Sequence, residues 1–124
     1  MTPSTLGLII FSVTLSALAQ ICLKIGMSSL SVQKAISSSS VSATAYAVLS
    51  SPAVIGGLAL YGLGAIVWLS VLARIDVSIA YPFVGISFLI TAALAVLILG
   101  EPLSTPMIIG TSLVILGVAI LARG

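Results

Sequence analysis

Residues 4–23, 52–73, 79–99 and 105–122 are four apolar stretches, each close to the length of about 20 residues that crosses the hydrocarbon core of a bilayer. Inside lipid every backbone N–H and C=O must be satisfied within the segment or by a closed sheet, so isolated apolar stretches of this length form helices. Soluble domains carry about 25% charged residues; this chain carries 5%, with 60% hydrophobic residues. The expected fold is all-α: one integral membrane domain over residues 1–124, a bundle of four transmembrane helices, with a long polar loop over 25–51.

The scarcity of polar chemistry excludes several functions. There is no His and a single Cys, Cys22, which removes Cys/His zinc sites and intrachain disulfides. No metal or cofactor is expected. Asp76 and Glu101 are the only acids and lie far apart in sequence, so a paired-carboxylate active site, and with it an enzyme, is not expected. The net charge of +2 is scattered and makes no nucleic-acid footprint. Ala17-Leu18-Ala19 imitates a signal-peptidase site, but residues 1–13 lack the Lys or Arg that opens a secretory signal, so a retained first span is expected.

The connections are unequal. Residues 74–78 and 100–104 make tight turns, and Pro82, Pro102 and Pro106 stand at or near helix starts, where a missing N–H costs little. Residues 25–51 include "AISSSSVSATAYAVLSS", which predicts a floppy polar connector; a short interfacial helix around 41–49 is the alternative. Lys24 and Lys34 fall on one side of the membrane, Arg74 and Arg123 on the other, so the positive-inside rule assigns no orientation. Glu101 falls on the Lys24 side, Asp76 on that of Arg74 and Arg123, and no acid lies near the centre of a span.

Four polar residues, Ser12, Ser16, Gln20 and Lys24, are spaced four apart and form one slowly drifting stripe on the first helix. The stripe either lines a polar track or bonds neighbouring helices. In the third span Pro82 frees the carbonyl of Ser78, and Tyr81 lies beside this loosened backbone, with Gly85 and Ser87 further in. Tyr81 is either a cavity lining or an interface anchor. Gly57 with Gly64, and Gly110 with Gly117, are seven apart and make small-residue association faces, whose partner is within the chain or in another copy. Four helices packed at about 8–10 Å fill their own centre. Transport would then need a dimer, with Gly110 and Gly117 at the seam.

At "SALAQICLK", "WLSVLARIDVSIAYP", "LGEPLS" and "IIGTSLVILGVAIL" the sequence resembles the four-helix branch of the drug/metabolite transporter superfamily. The tail "GTSLVILGV" and the "IAY" of the third span are similar to small multidrug resistance exporters, antiparallel dimers joined through the last helix. Those carry a membrane-buried Glu eight residues before the terminal Lys of the first helix; here Ser16 stands there. Their tryptophan three residues after the Tyr is here Val84. Both departures argue against cation–proton exchange. Gln20 four residues before Lys24, "IAYP" and the "EP" after the third span resemble more nearly the aminoarabinose-phosphoundecaprenol flippase subunits.

The resemblance implies movement of a polyprenyl-phosphate-linked sugar across the bacterial inner membrane by a homodimer, or by a heterodimer with a similar four-helix subunit. Membrane lipids and the lipid-linked sugar are then the other partners. Ser12, Ser16 and Gln20 would supply donors and acceptors along the span, Lys24 would receive the phosphate at its mouth, Tyr81 would line the cavity, and Glu101 would temper Lys24 in the empty state. The rival readings are a small-cation exporter and a non-transporting scaffold subunit.

Overall fold

The computed structural model describes residues 2–123. Its helices are α1 (Pro3–Met27), α2 (Leu30–Ser37), α3 (Val41–Ser50), α4 (Pro52–Leu72), α5 (Val77–Ala80), a 3-10 turn over Tyr81–Phe83, α6 (Val84–Ile98) and α7 (Thr105–Arg123). Four helical segments are long and apolar enough to cross a membrane: α1, α4, the continuous run Val77–Ile98, and α7. The chain is a multi-pass membrane protein. Local chemistry sets the boundaries. The hydroxyls of Thr2 and Ser51 accept from the N–H groups of Thr5 and Val54, at 3.3 and 3.5 Å, and Pro3 and Pro52 open α1 and α4, where no N–H is needed. Gly100, at φ +67°, ends α6 in the left-handed conformation open to a residue without Cβ and lets the Glu101 N–H return to the Ala95 carbonyl, 3.2 Å away.

The long connection is not a floppy polar loop. Its serines punctuate two helices: Ser29 precedes α2, Ser38 closes it, and Ser40 caps α3 through the Ala43 N–H at 3.3 Å. Serine competes for backbone hydrogen bonds at helix ends, so a serine cluster marks boundaries as readily as it marks disorder. Pro82 cannot supply the hydrogen bond that Ser78 would accept, and the third span tightens there into its 3-10 turn.

The spanning helices stand in the order α4–α1–α6–α7, and α4 meets the third span only near the 73–76 turn. They therefore do not fill their own centre, contrary to the expectation from bundle packing. The reason lies in the small residues. A Cβ at Gly57 would meet the Leu23 side chain at 2.9 Å and the Ala19 carbonyl at 3.1 Å; one at Gly64 would lie 3.3 Å from the Ser12 carbonyl; one at Gly26 would meet Val54 at 2.5 Å. These contacts draw α4 hard onto one flank of α1. On the other flank Ile9 and Val13 join Ala80 and Phe83 in a core that also holds Val71. This core sits at the end of the bundle that carries the 73–76 turn. α7 rests on α6 where Gly85 faces Val114 and Val118, and none of its described residues is buried.

Candidate functional site

With α4 and α6 on opposite flanks of α1, a cleft opens between them. Its cavity is about 200 Å³ and is lined by Ser12, Val13 and Ser16 of α1, Tyr61, Gly64, Ala65 and Trp68 of α4, and Tyr81, Val84 and Ser87 of the third span. Ser16 is one residue past the middle of the 25-residue α1, so the cleft reaches the depth of the bilayer centre.

The hydroxyls differ in what they are free to do. Ser12 is 4% exposed and donates to the Gly64 carbonyl across the α1–α4 seam at 2.8 Å. It retains only acceptor capacity toward a ligand. Ser87 donates to the Val84 carbonyl one turn back along its own helix. Among the side-chain hydrogen bonds of the described residues, none engages Ser16, Tyr61, Trp68 or Tyr81. Three hydroxyls and one indole N–H are thus available at membrane depth, in an environment where an unmet donor costs far more than in water. No charged side chain lines the cavity.

The structure therefore brings together three of the six substrate residues expected from sequence: Ser12, Ser16 and Tyr81. Gln20, Lys24 and Glu101 lie outside the cavity. Gln20 and Lys24 are exposed. Each four-residue step turns a helix by about 40°, so Gln20 and Lys24 drift from Ser16 round toward the flank of α1 that carries Val13. Lys24 lies about 12 Å along the axis from Ser16, toward the loop side. Glu101 is half-buried in the turn after α6 and forms no ion pair with Lys24 within 4.0 Å. Gly57 and Gly64 find their partner within the chain, in α1. Gly110 and Gly117 do not: a Cβ at either would have nothing within 4 Å.

Sequence reasoning missed Tyr61 and Trp68. Their signal was present. Tyr61, Gly64, Ala65 and Trp68 follow the i, i+3, i+4, i+7 spacing of one helix face, and Tyr61 falls near the middle of α4, away from the membrane interfaces that usually hold tyrosine.

No family model matches the chain, and no solved structure matches it. Several curated proteins do. One is named the probable 4-amino-4-deoxy-L-arabinose-phosphoundecaprenol flippase subunit ArnE of Pseudomonas savastanoi pv. phaseolicola: it is 39% identical over 66 residues, 53% of this chain and 58% of that protein. The protein of the same name in Pseudomonas fluorescens strain Pf0-1 is 43% identical over 68 residues, 53% of this chain and 60% of that protein. The chain is similar to aminoarabinose-phosphoundecaprenol flippase subunits. An uncharacterized protein, y4nH of Sinorhizobium fredii, is 34% identical over 74 residues, 59% of this chain and 63% of that protein. The chain thus spans about three-fifths of the length of the curated relatives it matches.

Proposed function

We propose that the chain is one subunit of a dimeric, flippase-like transporter that moves a polyprenyl-phosphate-linked sugar across the bacterial inner membrane, and that it is not an enzyme. The observation that carries this reading is the uncharged cleft that runs from near the 73–76 turn to mid-membrane depth, with unpaired donors on Ser16, Tyr61, Trp68 and Tyr81. A sugar ring presents hydroxyls and apolar C–H faces. Hydroxyl donors beside aromatic faces match both. The attached chain can stay in lipid while the head crosses, because the cleft lies between two helices instead of inside a closed ring. Lys24, at the loop-side end of the stripe, offers a charge-assisted hydrogen bond to the phosphate, and Gln20 stands between it and Ser16. The similarity to proteins named as flippase subunits supports the same reading.

The test is flipping of a labelled polyprenyl-phosphate aminosugar in proteoliposomes, with the chain alone and with a co-expressed similar subunit. Lys24→Ala should slow flipping strongly, and Gln20→Leu should do so less, with both proteins inserting normally and running as wild type on gel filtration. Glu101→Gln should alter headgroup affinity more than fold. Wild-type rates in the Lys24→Ala, Gln20→Leu double variant would leave the stripe as helix packing alone.

A further inference from the structure

The hairpin α2–α3 has no part in the cleft, yet it is built with definite geometry. Its two ends join the ends of two helices of membrane-spanning length. α2 starts at Leu30, just after α1 ends at Met27, and α3 ends at Ser50, just before α4 starts at Pro52. Gln33 donates from its side-chain amide to the Met27 carbonyl at 2.7 Å, tying α2 down onto the end of α1. Ten residues of helix rise about 15 Å, half of a hydrocarbon core of about 30 Å, so α3 cannot cross.

α3 has two unlike sides. Thr44, Ala47 and Val48 are half-buried and face the protein. Val41, Ala45, Leu49 and Tyr46 fall within a sector of about 140° on the outer side, interrupted only by Ser42. Val41, Tyr46 and Leu49 are 86%, 77% and 63% exposed, and Leu30 of α2 adds 71%. No charged residue occurs anywhere in α3. A helix turning this side to water would show an apolar patch with no polar relief. The charges nearby, Lys24 and Lys34, are both basic, and no acid precedes Asp76.

We propose that the α2–α3 hairpin is an interfacial anchor lying in the headgroup region of its leaflet, with Val41, Tyr46 and Leu49 turned into the acyl boundary and Lys34 toward anionic phospholipid. Apolar side chains flanked by basic residues are at home at this depth, and so is Tyr. The occupant is the bilayer and not a second copy, because the face stands at the level of the surface. The connections 73–76 and 99–104 of a second copy are short turns with no body to cover it, and its own hairpin is the outcome that the dilution arm below reads. The inference does not rest on the transport reading.

Site-directed fluorescence tests it. In a Cys22→Ser background, single cysteines replace Val41, Tyr46 or Leu49, with Ser38 at the exposed hairpin apex as reference, and each carries an environment-sensitive dye in proteoliposomes. None of these residues belongs to the core, so folding is expected to survive, and gel filtration checks it. The three outer positions should emit to the blue of position 38 and be quenched several-fold more by lipids spin-labelled near the headgroup than by aqueous iodide. Position 38 should show the reverse. Iodide quenching of all four positions alike would overturn the proposal. So would shielding from both quenchers that vanishes when the protein is diluted to one copy per vesicle, the result expected of a second copy. Raising phosphatidylglycerol in the vesicles should increase lipid quenching in the parent, and Lys34→Gln should remove most of that increase. An unchanged increase would overturn the electrostatic half of the proposal.

Discussion

At the scale of residues, the glycines of this chain divide by what their missing Cβ would touch, and the division is testable. Gly26 lies against Val54, where a Cβ would come within 2.8 Å of the backbone nitrogen, which cannot move aside as a side-chain tip can. Gly26→Ala should cost about 1–3 kcal/mol through overpacking at the α1–α4 seam. At Gly56 a Cβ would meet nothing within 4 Å, so Gly56→Ala should be neutral or stabilise by up to about 1 kcal/mol through helix propensity. Thermal unfolding in detergent measures both, and shifts of the same sign and size would remove the close-approach account of the seam. The two serines of the stripe separate in the same way. Ser12 donates to Gly64, so Ser12→Ala should lower stability by about 0.6–1.7 kcal/mol. Ser16→Ala should leave melting unchanged and slow flipping instead, since its hydroxyl serves no neighbour. If both variants lose stability equally, Ser16 has a partner in the folded membrane protein and is not free for substrate.

At the scale of elements, the hairpin turn between α2 and α3 contains a non-glycine residue in the left-handed region, Ser39 at φ 58°. The conformation costs an L residue roughly 1–2 kcal/mol, and glycine is nearly free of that cost. Ser39→Gly should therefore stabilise the hairpin locally, seen as slower amide hydrogen exchange over residues 30–50 with little change in the spanning helices. Unchanged or faster exchange there would show that the entropy glycine adds to the unfolded hairpin outweighs the strain it relieves. The third span makes a different use of its break. Pro82 tightens the chain into a 3-10 turn while Phe83 enters the core and Tyr81 stays 66% exposed at the cleft, so one short irregularity both anchors the helix and aims the tyrosine.

At the scale of the whole molecule, α7 touches the rest of the chain mainly through α6, and Gly110 and Gly117 meet nothing. With none of its described residues buried and a free small-residue face, α7 is the seam the proposed dimer would use. Gly117→Leu should block close approach there and lower the yield of cross-linked dimer in membranes several-fold, leaving the monomer's helix content unchanged. An unchanged yield would take α7 out of the seam. The uncharged cleft has a consequence for energy coupling. Exchange of a substrate for protons at a membrane-buried site needs a group that titrates there, and Ser16 does not. Proteoliposomes with an imposed pH gradient should show no gradient-driven uptake of a quaternary ammonium compound. Robust uptake would favour the cation exporter, with Tyr61, Trp68 and Tyr81 holding the cation over their ring faces.

The sequence alone determined the class of this protein, because lipid admits few solutions: four apolar stretches of bilayer length become four helices whatever their neighbours do. It also marked Ser12, Ser16 and Tyr81, since polar groups inside a span stand out against a composition of this kind. It did not show that Ser12 is committed to Gly64 or that Tyr61 and Trp68 complete the cleft, because those facts depend on which flank of α1 each helix takes. Helix order is decided by how closely two backbones can approach, and that is a property of pairs: Gly57 and Gly64 have meaning only opposite Ala19 and Ser12. The serine-rich connection misled for a related reason. The same residue marks a loop or caps a helix according to whether the next turn finds something to pack on, and for α2 and α3 that support is the end of α1, the start of α4 and each other.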